Sequence, residues 1–389
     1  MKNIYTGIDI GTYHVKVVIA APAGTPEAPM HIIGTGIASS KGMRHGYILD
    51  TTEVTKSIRD ALDRARGAAK VPVTHARLAV GGAGLDEIRS SASVSLTTWS
   101  GVVTEAAIDR ARQESQKQAS SKLVNRTVIH TIPLEYKIDG VKAMGQPLGM
   151  QGTKLAVDTL IVTLLSQHHD DLIESIEAAG IEVDGVMASP LAASLVTLTK
   201  VQKTAGVCLA NIGAETLSVV VFDNDIPVSV KVFPIGASDI TNTIALSFQV
   251  PLSEAEQLKR GAVVGSDVPQ RKMDTIINSK LKEMFVLINA HLKSIGRQHL
   301  LPAGIVITGG GSGLTSASEI ARAVLRLPSQ TGQISILARS STVDATWAVA
   351  AGLCRWAYAE ERGGRTSSLA DILGGGWVSI KKGIRSFLP

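Results

Sequence analysis

The feature that most constrains this chain of 389 residues is a repeat within it. Residues 7–20 read GIDIGTYHVKVVIA and residues 209–222 read LANIGAETLSVVVF. Aligning Asp9 with Asn211 also superimposes the glycine two positions later in each segment. Each segment has the pattern of a strand, a tight glycine turn and a second strand rich in β-branched residues. Two copies about half a chain apart predict two related lobes, each beginning with a β-hairpin.

Outside the repeat, strand patterns alternate with helix patterns, which predicts an α/β fold in each lobe. Residues 85–160 depart from this alternation, because strand patterns there flank a single helix that begins near Thr104. They predict a small α+β domain inserted into the first lobe. From residue 362 the composition shifts to glycine, arginine and serine, which indicates a linker followed by a terminal segment.

Several classes of function are disfavoured by the composition. The net charge is +5 and the pI about 9.1, but the basic residues do not cluster among aromatic ones, so we expect no nucleic-acid partner. Cys208 and Cys354 stand far apart, which argues against a disulfide framework or a cysteine zinc site and fits a reducing cytosol. His168 and His169 are interpreted as a solvated pair near the start of a helix, because no third metal ligand is suitably spaced.

The chain also lacks the usual signals for crossing a membrane. The apolar N-terminal stretch is short and contains Asp9, unlike a secretory signal. No stretch has the roughly 18 uninterrupted apolar residues of a membrane-spanning helix. We therefore expect a protein that folds in the cytosol.

The first hairpin has the residues needed to bind a phosphate group. Gly11 lets the backbone approach an anion closely, and Thr12 and Lys16 are placed to donate hydrogen bonds to a β-phosphate, with Tyr13 beside them in the turn. Asp9 is placed to hold a water molecule on Mg²⁺, which prefers carboxylate and water ligands next to phosphates. A single turn of this kind also fits an ordinary β-hairpin, and the repeat is what favours phosphate binding.

Further candidate residues lie in the second half of the chain. A second glycine turn would hold the same phosphate chain from the opposite side of a cleft, and a glycine run after a buried strand would let an adenine ring or ribose lie against bare backbone. Two charged residues three positions apart share one helix face, as either a nucleotide contact or a surface ion pair. These residues are Asn211, Gly213 and Ala214 in the turn, Gly309, Gly310 and Gly311 in the run, and Glu256 and Lys259 on the helix. A helix that starts between Ser312 and Ser318 would also favour an anion at its N-terminus.

In their order and spacing, these motifs resemble the superfamily of actin, Hsp70 chaperones and sugar kinases, and within it the FtsA family of bacterial cell-division proteins. Residues 9–12 and 211–213 match the two phosphate motifs of that family, residues 307–311 its adenosine motif, and residues 255–259 its Ala-Glu-x-hydrophobic-Lys element. The resemblance runs almost end to end. It implies ATP and Mg²⁺ as cofactors and an actin-like two-lobed fold of duplicated ribonuclease-H-like domains, with an inserted α+β domain called 1C.

The resemblance also implies a division of the chain into subdomains. The expected parts are 1–84 and 161–203 for subdomain 1A, 85–160 for 1C, 204–240 and 303–361 for 2A, 241–302 for 2B, 362–376 for a flexible linker and 377–389 for an amphipathic helix.

Three departures from the family pattern bear on hydrolysis. Asn211 stands where an acidic residue is usual, Glu215 replaces the last glycine of the second phosphate motif, and Ser189 stands where related ATPases often have an acidic or amide residue. An amide can only hydrogen-bond to the attacking water, and a serine is a poor base. No catalytic residue is therefore assigned beyond the magnesium-bound water at Asp9, and we expect ATP to be bound but hydrolysed very slowly, if at all.

The terminal segment has the pattern of a helix that lies on a membrane surface. On a helical projection, apolar residues form a stripe about 100° wide and basic residues lie beside it. Such a short helix is marginal in water but suits an anionic bilayer interface, although it would also suit docking on the body of the protein. The residues of this segment are Trp377, Ile380, Lys381, Lys382, Ile384, Arg385, Phe387 and Leu388.

As a member of the FtsA family, the chain would assemble head to tail and tether the tubulin-like protein FtsZ to the cytoplasmic face of the inner membrane at the division site. Three alternatives share the superfamily. A pilus-assembly relative of FtsA would lack the amphipathic tail, an Hsp70-like chaperone would need a peptide-binding domain further along the chain, and a metabolic kinase would need a catalytic base facing a sugar.

Overall fold

The computed structural model describes residues 4–23, 30–96, 101–261, 269–334 and 343–361. The predicted linker and amphipathic helix, residues 362–389, lie outside this part of the chain, so the structure does not test them.

The strands and helices alternate along most of the chain. The strands are β1 (Tyr5–Ile10), β2 (His14–Pro22), β3 (Met30–Ser39), β4 (Met43–Arg44), β5 (Tyr47–Ile48), β6 (His75–Val80), β7 (Asp86–Ser95), β8 (Arg126–Ile138), β9 (Val141–Lys142), β10 (Lys154–Leu165), β11 (Glu182–Ala188), β12 (Val207–Ile212), β13 (Leu217–Asp223), β14 (Ile226–Phe233), β15 (Ile305–Thr308) and β16 (Ser329–Thr331). The helices are α1 (Thr51–Ala69), α2 (Glu105–Gln118), α3 (Ser166–Glu177), α4 (Ser189–Thr197), α5 (Lys200–Ala205), α6 (Ala237–Phe248), α7 (Leu252–Lys259), α8 (Gln270–Ser294), α9 (Ala317–Leu325) and α10 (Ala348–Glu361).

Each lobe is built on a five-stranded sheet, and the two sheets have the same topology. The order is β11-β6-β1-β2-β3 in the first lobe and β16-β15-β12-β13-β14 in the second. In both, the hairpin strands pair antiparallel, while the first hairpin strand also pairs in parallel with a later strand, β6 or β15. This parallel register places Asp9 beside Ala79 and Asn211 beside Thr308, so the predicted repeat is a structural duplication.

Local sequence signals fix the helices that cover these sheets. The Asp50 side chain accepts hydrogen bonds from the backbone N–H groups of Thr52 and Glu53 and so caps α1, and Lys70 ends that helix in the left-handed conformation. The core of the first lobe continues into the second-lobe sheet, because Leu209 and Phe222 are fully buried among its residues. The two lobes therefore share apolar packing below the cleft between them.

The last described helix, α10, corrects the predicted division of the chain. The sequence places residues 303–361 in the second lobe, but α10 packs against β1, β2 and α4 of the first. At Gly352 a Cβ atom would lie 1.9 Å from the carbonyl oxygen of Ala192, so the two helices cross in backbone contact. The second lobe therefore ends before α10, and the chain returns to the first lobe before it reaches residue 362.

The inserted domain is an antiparallel sheet in the order β7-β10-β8-β9, with α2 packed against it. Pro133 lies within one long strand of this sheet, β8. The register there skips Leu134, and this β-bulge accommodates the proline within the sheet. The domain also contacts the second lobe, since the Glu87 carboxylate accepts a 2.6 Å hydrogen bond from the backbone N–H of Val230.

Candidate functional site

A cleft of about 880 Å³ lies between the two lobes, and the turns of both hairpins line it. The turns have the same geometry. The backbone N–H of Gly11 donates to the carbonyl oxygen of His14 at 3.1 Å, and that of Gly213 donates to the carbonyl oxygen of Thr216 at 2.8 Å. Two equivalent turns thus face one cavity, as the repeat predicts.

All the residues predicted from the sequence to bind nucleotide line this cleft. They are Asp9, Gly11, Thr12, Tyr13, Lys16, Asn211, Gly213, Ala214, Glu256, Lys259, Gly309, Gly310 and Gly311. The structure therefore brings together segments that are distant in the sequence, while their binding of nucleotide stays a prediction.

The first hairpin places a carboxylate and an ammonium group opposite each other. Asp9 and Lys16 are partners in the ladder between β1 and β2. Desolvation raises the pKa of Asp9 and the Lys16 charge partly opposes this, while desolvation lowers the pKa of Lys16. The charge of Lys16 does not fully compensate for the burial of the Asp9 carboxylate, so a cation nearby would stabilise its ionised form. A hydrated Mg²⁺ ion suits such a place, because Mg²⁺ prefers carboxylate and water ligands.

Lys16 does not extend freely into the cleft. Its Nζ atom donates a 2.6 Å hydrogen bond to the carbonyl oxygen of Thr346 and lies 5.7 Å from the centre of the Trp347 ring. To reach a phosphate it would have to give up the bond to Thr346. The sequence could not reveal this partner, which lies 330 positions away.

The glycine run after β15 forms the opposite wall. Gly309 has φ of +84°, and a Cβ atom there would lie 2.2 Å from Oδ1 of Asn211 and 2.6 Å from the carbonyl oxygen of Ile212. Gly310 is exposed in the cleft, and a Cβ atom there would meet nothing within 4 Å. Gly309 thus allows the strand to pack against the second hairpin, whereas Gly310 leaves bare backbone open to a ligand.

The helix expected after this run begins within the predicted interval, near its end. Gly310–Gly313 forms a short 3₁₀ helix, and α9 begins only at Ala317. Consecutive glycines disfavour a regular α-helix, so the run itself is not part of α9.

The first lobe has a structural twin of this glycine run that meets a different neighbour. The shared register makes Val80, Gly81 and Gly82 the counterparts of Gly309, Gly310 and Gly311. At Gly82 a Cβ atom would lie 2.9 Å from Cα of Gly46, in the loop between β4 and β5. That loop therefore packs directly against the first-lobe turn.

Glu256 and Lys259 form an ion pair at the edge of the cleft, with 2.5 Å between Lys259 Nζ and Glu256 Oε2. The Lys259 side chain is only 7% exposed and also donates to Thr241 Oγ1 at 2.8 Å. Glu256 accepts a further hydrogen bond from Arg260 at 2.8 Å. Desolvation opposes ionisation of Glu256, but its hydrogen bonds with Lys259 and Thr241 hold its pKa below the ordinary value. The pair is therefore largely buried rather than a surface pair.

The three departures from the family pattern occupy distinct places. Asn211 and Ser189 both line the cleft. Glu215 instead reaches across to the first lobe, where its carboxylate accepts a 2.5 Å hydrogen bond from the backbone N–H of His45. A contact between the lobes at this position has no signal in the sequence beyond the replaced glycine.

The interpretation of His168 as a solvated residue is wrong. Only 4% of it is exposed, its ring lies 5.3 Å from that of Tyr47, and it lines the cleft. Burial lowers its pKa and favours the neutral ring. His169, by contrast, lies beside Asp170, with 2.9 Å between Nδ1 and Oδ1.

No helix within the described ranges combines the length and apolar character needed to cross a membrane. The predicted membrane-binding residues, from Trp377 to Leu388, lie outside those ranges, so their role stays a prediction.

Comparisons with known proteins point to one family. The family model "Cell division protein FtsA" matches residues 208–352, and the model "SHS2 domain inserted in FTSA" matches residues 82–163, so that together they span more than half of the chain. Cell division protein FtsA of Pseudomonas aeruginosa is 28% identical over 85% of this chain and 83% of its own length.

Solved structures confirm the predicted actin-like fold. A chain of a PilM–PilN type IV pilus biogenesis complex is similar with a TM-score of 0.69 and 18% identity, over 93% of this chain and 98% of that one. MreB5 of Spiroplasma citri bound to AMPPNP is similar with a TM-score of 0.53 and 10% identity, over 93% of this chain and 98% of that one. At these identities the likeness establishes the fold and not the ligand.

Proposed function

Because the chain belongs to the FtsA family of cell division proteins, we propose that it binds ATP with Mg²⁺ between its lobes, polymerises on the cytoplasmic membrane and tethers FtsZ to that membrane at the division septum. The observation that carries the proposal is the cleft itself. Two equivalent glycine turns and a bare glycine wall face one cavity of about 880 Å³, which is large enough for a nucleoside triphosphate.

The residues of the cleft suit the separate parts of the nucleotide. The turns at Gly11 and Gly213 would direct backbone N–H groups at the phosphates from both sides. Gly310 would lie against the adenosine, and Lys259 would stand near it as a cation whose own carboxylate partner is already in place. Mg²⁺, when bound through a water on Asp9, would neutralise charge on the phosphates.

The residues that line or border the cleft also support the expectation that ATP is hydrolysed slowly. Asn211 offers no carboxylate to deprotonate a water, and Ser189 is a poor base. Glu215 has a carboxylate, but it is engaged by the backbone N–H of His45. We therefore expect a nucleotide-controlled scaffold rather than an efficient ATPase, and phosphate release as fast as that of muscle actin filaments would contradict this.

Calorimetry of the purified full-length chain with ATP and Mg²⁺ tests the binding step. Heat of association with a stoichiometry of one per chain is expected. An intact fold that gives no heat with ATP would overturn the assignment of the cleft.

Co-sedimentation with liposomes tests the scaffold function. The full chain with ATP should pellet with anionic liposomes and carry FtsZ with it, while a variant truncated before Trp377 should stay in the supernatant with its ATP binding unchanged. Neutral liposomes are the matched control for the basic residues of the tail. Equal pelleting of the full and truncated chains would reject the membrane-binding role of the tail.

A pilus-assembly scaffold is the second candidate, and the similarity to the PilM–PilN complex favours it. The same liposome experiment separates the two. A protein of the pilus type would bind ATP but would not bring FtsZ to the membrane.

A further inference from the structure

Three side chains of the types that can bind a metal ion lie together at the outer end of the first-lobe sheet, away from the cleft. They are His75 at the start of β6, and Glu182 and Asp184 on the neighbouring edge strand β11. Nδ1 of His75 lies 3.3 Å from Oδ1 of Asp184 and 3.8 Å from Oε2 of Glu182. One nitrogen and one oxygen from each carboxylate all lie within 4.8 Å of one another.

The backbone brings these side chains together through register and a bulge. Glu182 is the direct ladder partner of His75 in the parallel pair of β11 and β6. The register then shifts between Val183 and Gly185, so that Asp184 is an extra residue with no ladder partner of its own. Bulges redirect a side chain, and this one leaves the Asp184 carboxylate beside the His75 ring.

Arg77 stabilises the backbone of the bulge. Its Nη1 atom donates a 2.8 Å hydrogen bond to the backbone carbonyl oxygen of Asp184. Its guanidinium stacks on Trp356, 4.5 Å from the ring centre, and is paired with Glu360 at 2.6 Å. Because Glu360 neutralises Arg77, this nearby cation does not cancel the negative charge of the two carboxylates.

We propose that His75, Glu182 and Asp184 form a Zn²⁺-binding site on the surface of the first lobe. A His ligand with two carboxylates is one of the donor sets that bind Zn²⁺ and leave a position for water, whereas Mg²⁺ and Ca²⁺ prefer oxygen ligands alone. Zn²⁺ with bonds of about 2.0–2.2 Å holds neighbouring ligand atoms roughly 3.3 Å apart. The ligand atoms of His75 and Asp184 are already at that distance. Oε2 of Glu182 lies 3.8 Å from Nδ1 of His75, on a side chain that is 58% exposed, so a small rotation of this side chain would complete the set.

The site joins two strands at the end opposite the nucleotide cleft. Gly81, which follows β6, lies at the cleft, while His75 begins the same strand at the far end. The bound ion would cross-link the edge strand β11 to β6, so it would stabilise the first lobe without touching the nucleotide. Binding of Zn²⁺ is therefore independent of the proposed function and can be measured without ATP.

The test uses untagged full-length protein, freed of metal and without nucleotide, in equilibrium dialysis against Zn²⁺. We expect one Zn²⁺ per chain with micromolar affinity, and a loss of at least about tenfold in affinity for the variants His75→Ala and Asp184→Asn, since even the loss of a supporting hydrogen bond typically costs roughly 10–100-fold. His169→Ala is the matched control, because it removes an imidazole that has a single carboxylate neighbour, and it should leave the affinity unchanged.

Two further measurements show whether each variant is folded and whether the metal is bound by His75. Melting curves of the metal-free variants report the fold, and Zn²⁺ should raise the melting temperature of the wild type and of His169→Ala but not of His75→Ala. Co²⁺ in place of Zn²⁺ should give visible absorption bands that disappear in His75→Ala. If the wild type takes up no Zn²⁺ at concentrations well above the micromolar range, or if His75→Ala binds it as tightly, the site does not exist.

Discussion

Replacing Gly309 and Gly310 by alanine, one at a time, separates the packing of the second lobe from the binding of its ligand. At Gly309 the new methyl group would be strained in two ways. The backbone has φ of +84°, and the Cβ atom would lie 2.6 Å from the carbonyl oxygen of Ile212, which belongs to the backbone and cannot rotate away. At Gly310 the methyl group would meet no protein atom within 4 Å and would project into the cleft.

The two substitutions should therefore differ in magnitude as well as in kind. An unfavourable backbone conformation costs about 1–3 kcal/mol and overpacking about 1–3 kcal/mol, so Gly309→Ala should destabilise the protein by roughly 3 kcal/mol. At about 2–4 °C per kcal/mol, the transition that includes the second lobe should fall by roughly 6–12 °C. Gly310→Ala should stay within about 0.5 kcal/mol of the wild type in stability but weaken ATP binding by roughly tenfold, which corresponds to about 1.4 kcal/mol of binding free energy.

Differential scanning calorimetry measures the first effect and titration calorimetry with ATP and Mg²⁺ the second. Gly310→Ala is thus the control for the fold, and the wild type the control for binding. An unchanged melting temperature for Gly309→Ala, or equal ATP affinity for Gly310→Ala and the wild type, would refute the roles assigned to the two glycines.

Three further predictions concern stability, each checked by thermal unfolding. Gly352→Ala should destabilise the protein by at least about 3 kcal/mol, because the Cβ atom would lie 1.9 Å from a carbonyl oxygen of α4. Gly67→Ala, which has open space around it on α1, should instead stabilise the protein by about 0.5–1 kcal/mol. Equal effects of the two substitutions would contradict the close crossing of α10 and α4. Glu256→Ala should lower the free energy of unfolding by about 2–4 kcal/mol, because it leaves the Lys259 ammonium buried without its carboxylate. Adding Lys259→Met to that variant should restore part of the lost stability. Purely additive effects of the two substitutions would show that the two side chains are uncoupled. Burial lowers the pKa of His130 to about 3, so as the pH falls the unfolded state takes up the proton first. The free energy of unfolding should therefore decrease between about pH 6.5 and pH 3, by at most about 1.4 kcal/mol per pH unit. His130→Asn should show a smaller decrease, and an identical pH dependence would show that His130 is not its cause.

The sequence was sufficient for the parts of the fold that depend on local pattern. The two hairpins were predictable because a glycine between two β-branched strands admits few other structures, and the repeat revealed that they are paired. The inserted domain was predictable from its change of pattern. The bulge at Leu134, which keeps β8 continuous past Pro133, could not be located from the sequence pattern alone.

The features that the sequence did not reveal depend on contacts between distant segments. The return of α10 to the first lobe rests on the fit of Gly352 against α4, and no local signal marks such a crossing. The burial of His168 and the reach of Glu215 to His45 have the same cause, because both are set by the neighbours that the fold supplies. For the site, the sequence therefore predicted which segments meet, but not which side chains were already engaged by other partners.

The twin turn in the first lobe has a consequence for how a ligand can be oriented. A chain built from two copies of one ancestral unit would at first offer two symmetry-related seats for a nucleoside, one beside each glycine run. Here Gly310 is open, whereas a Cβ atom at its counterpart, Gly81, would lie 2.8 Å from Oγ of Ser189, and the next glycine, Gly82, packs against the backbone of Gly46. If the base binds at the open wall, as proposed, the two related halves would accept the nucleotide in one orientation only, because the equivalent wall of the first lobe is covered by its own neighbours.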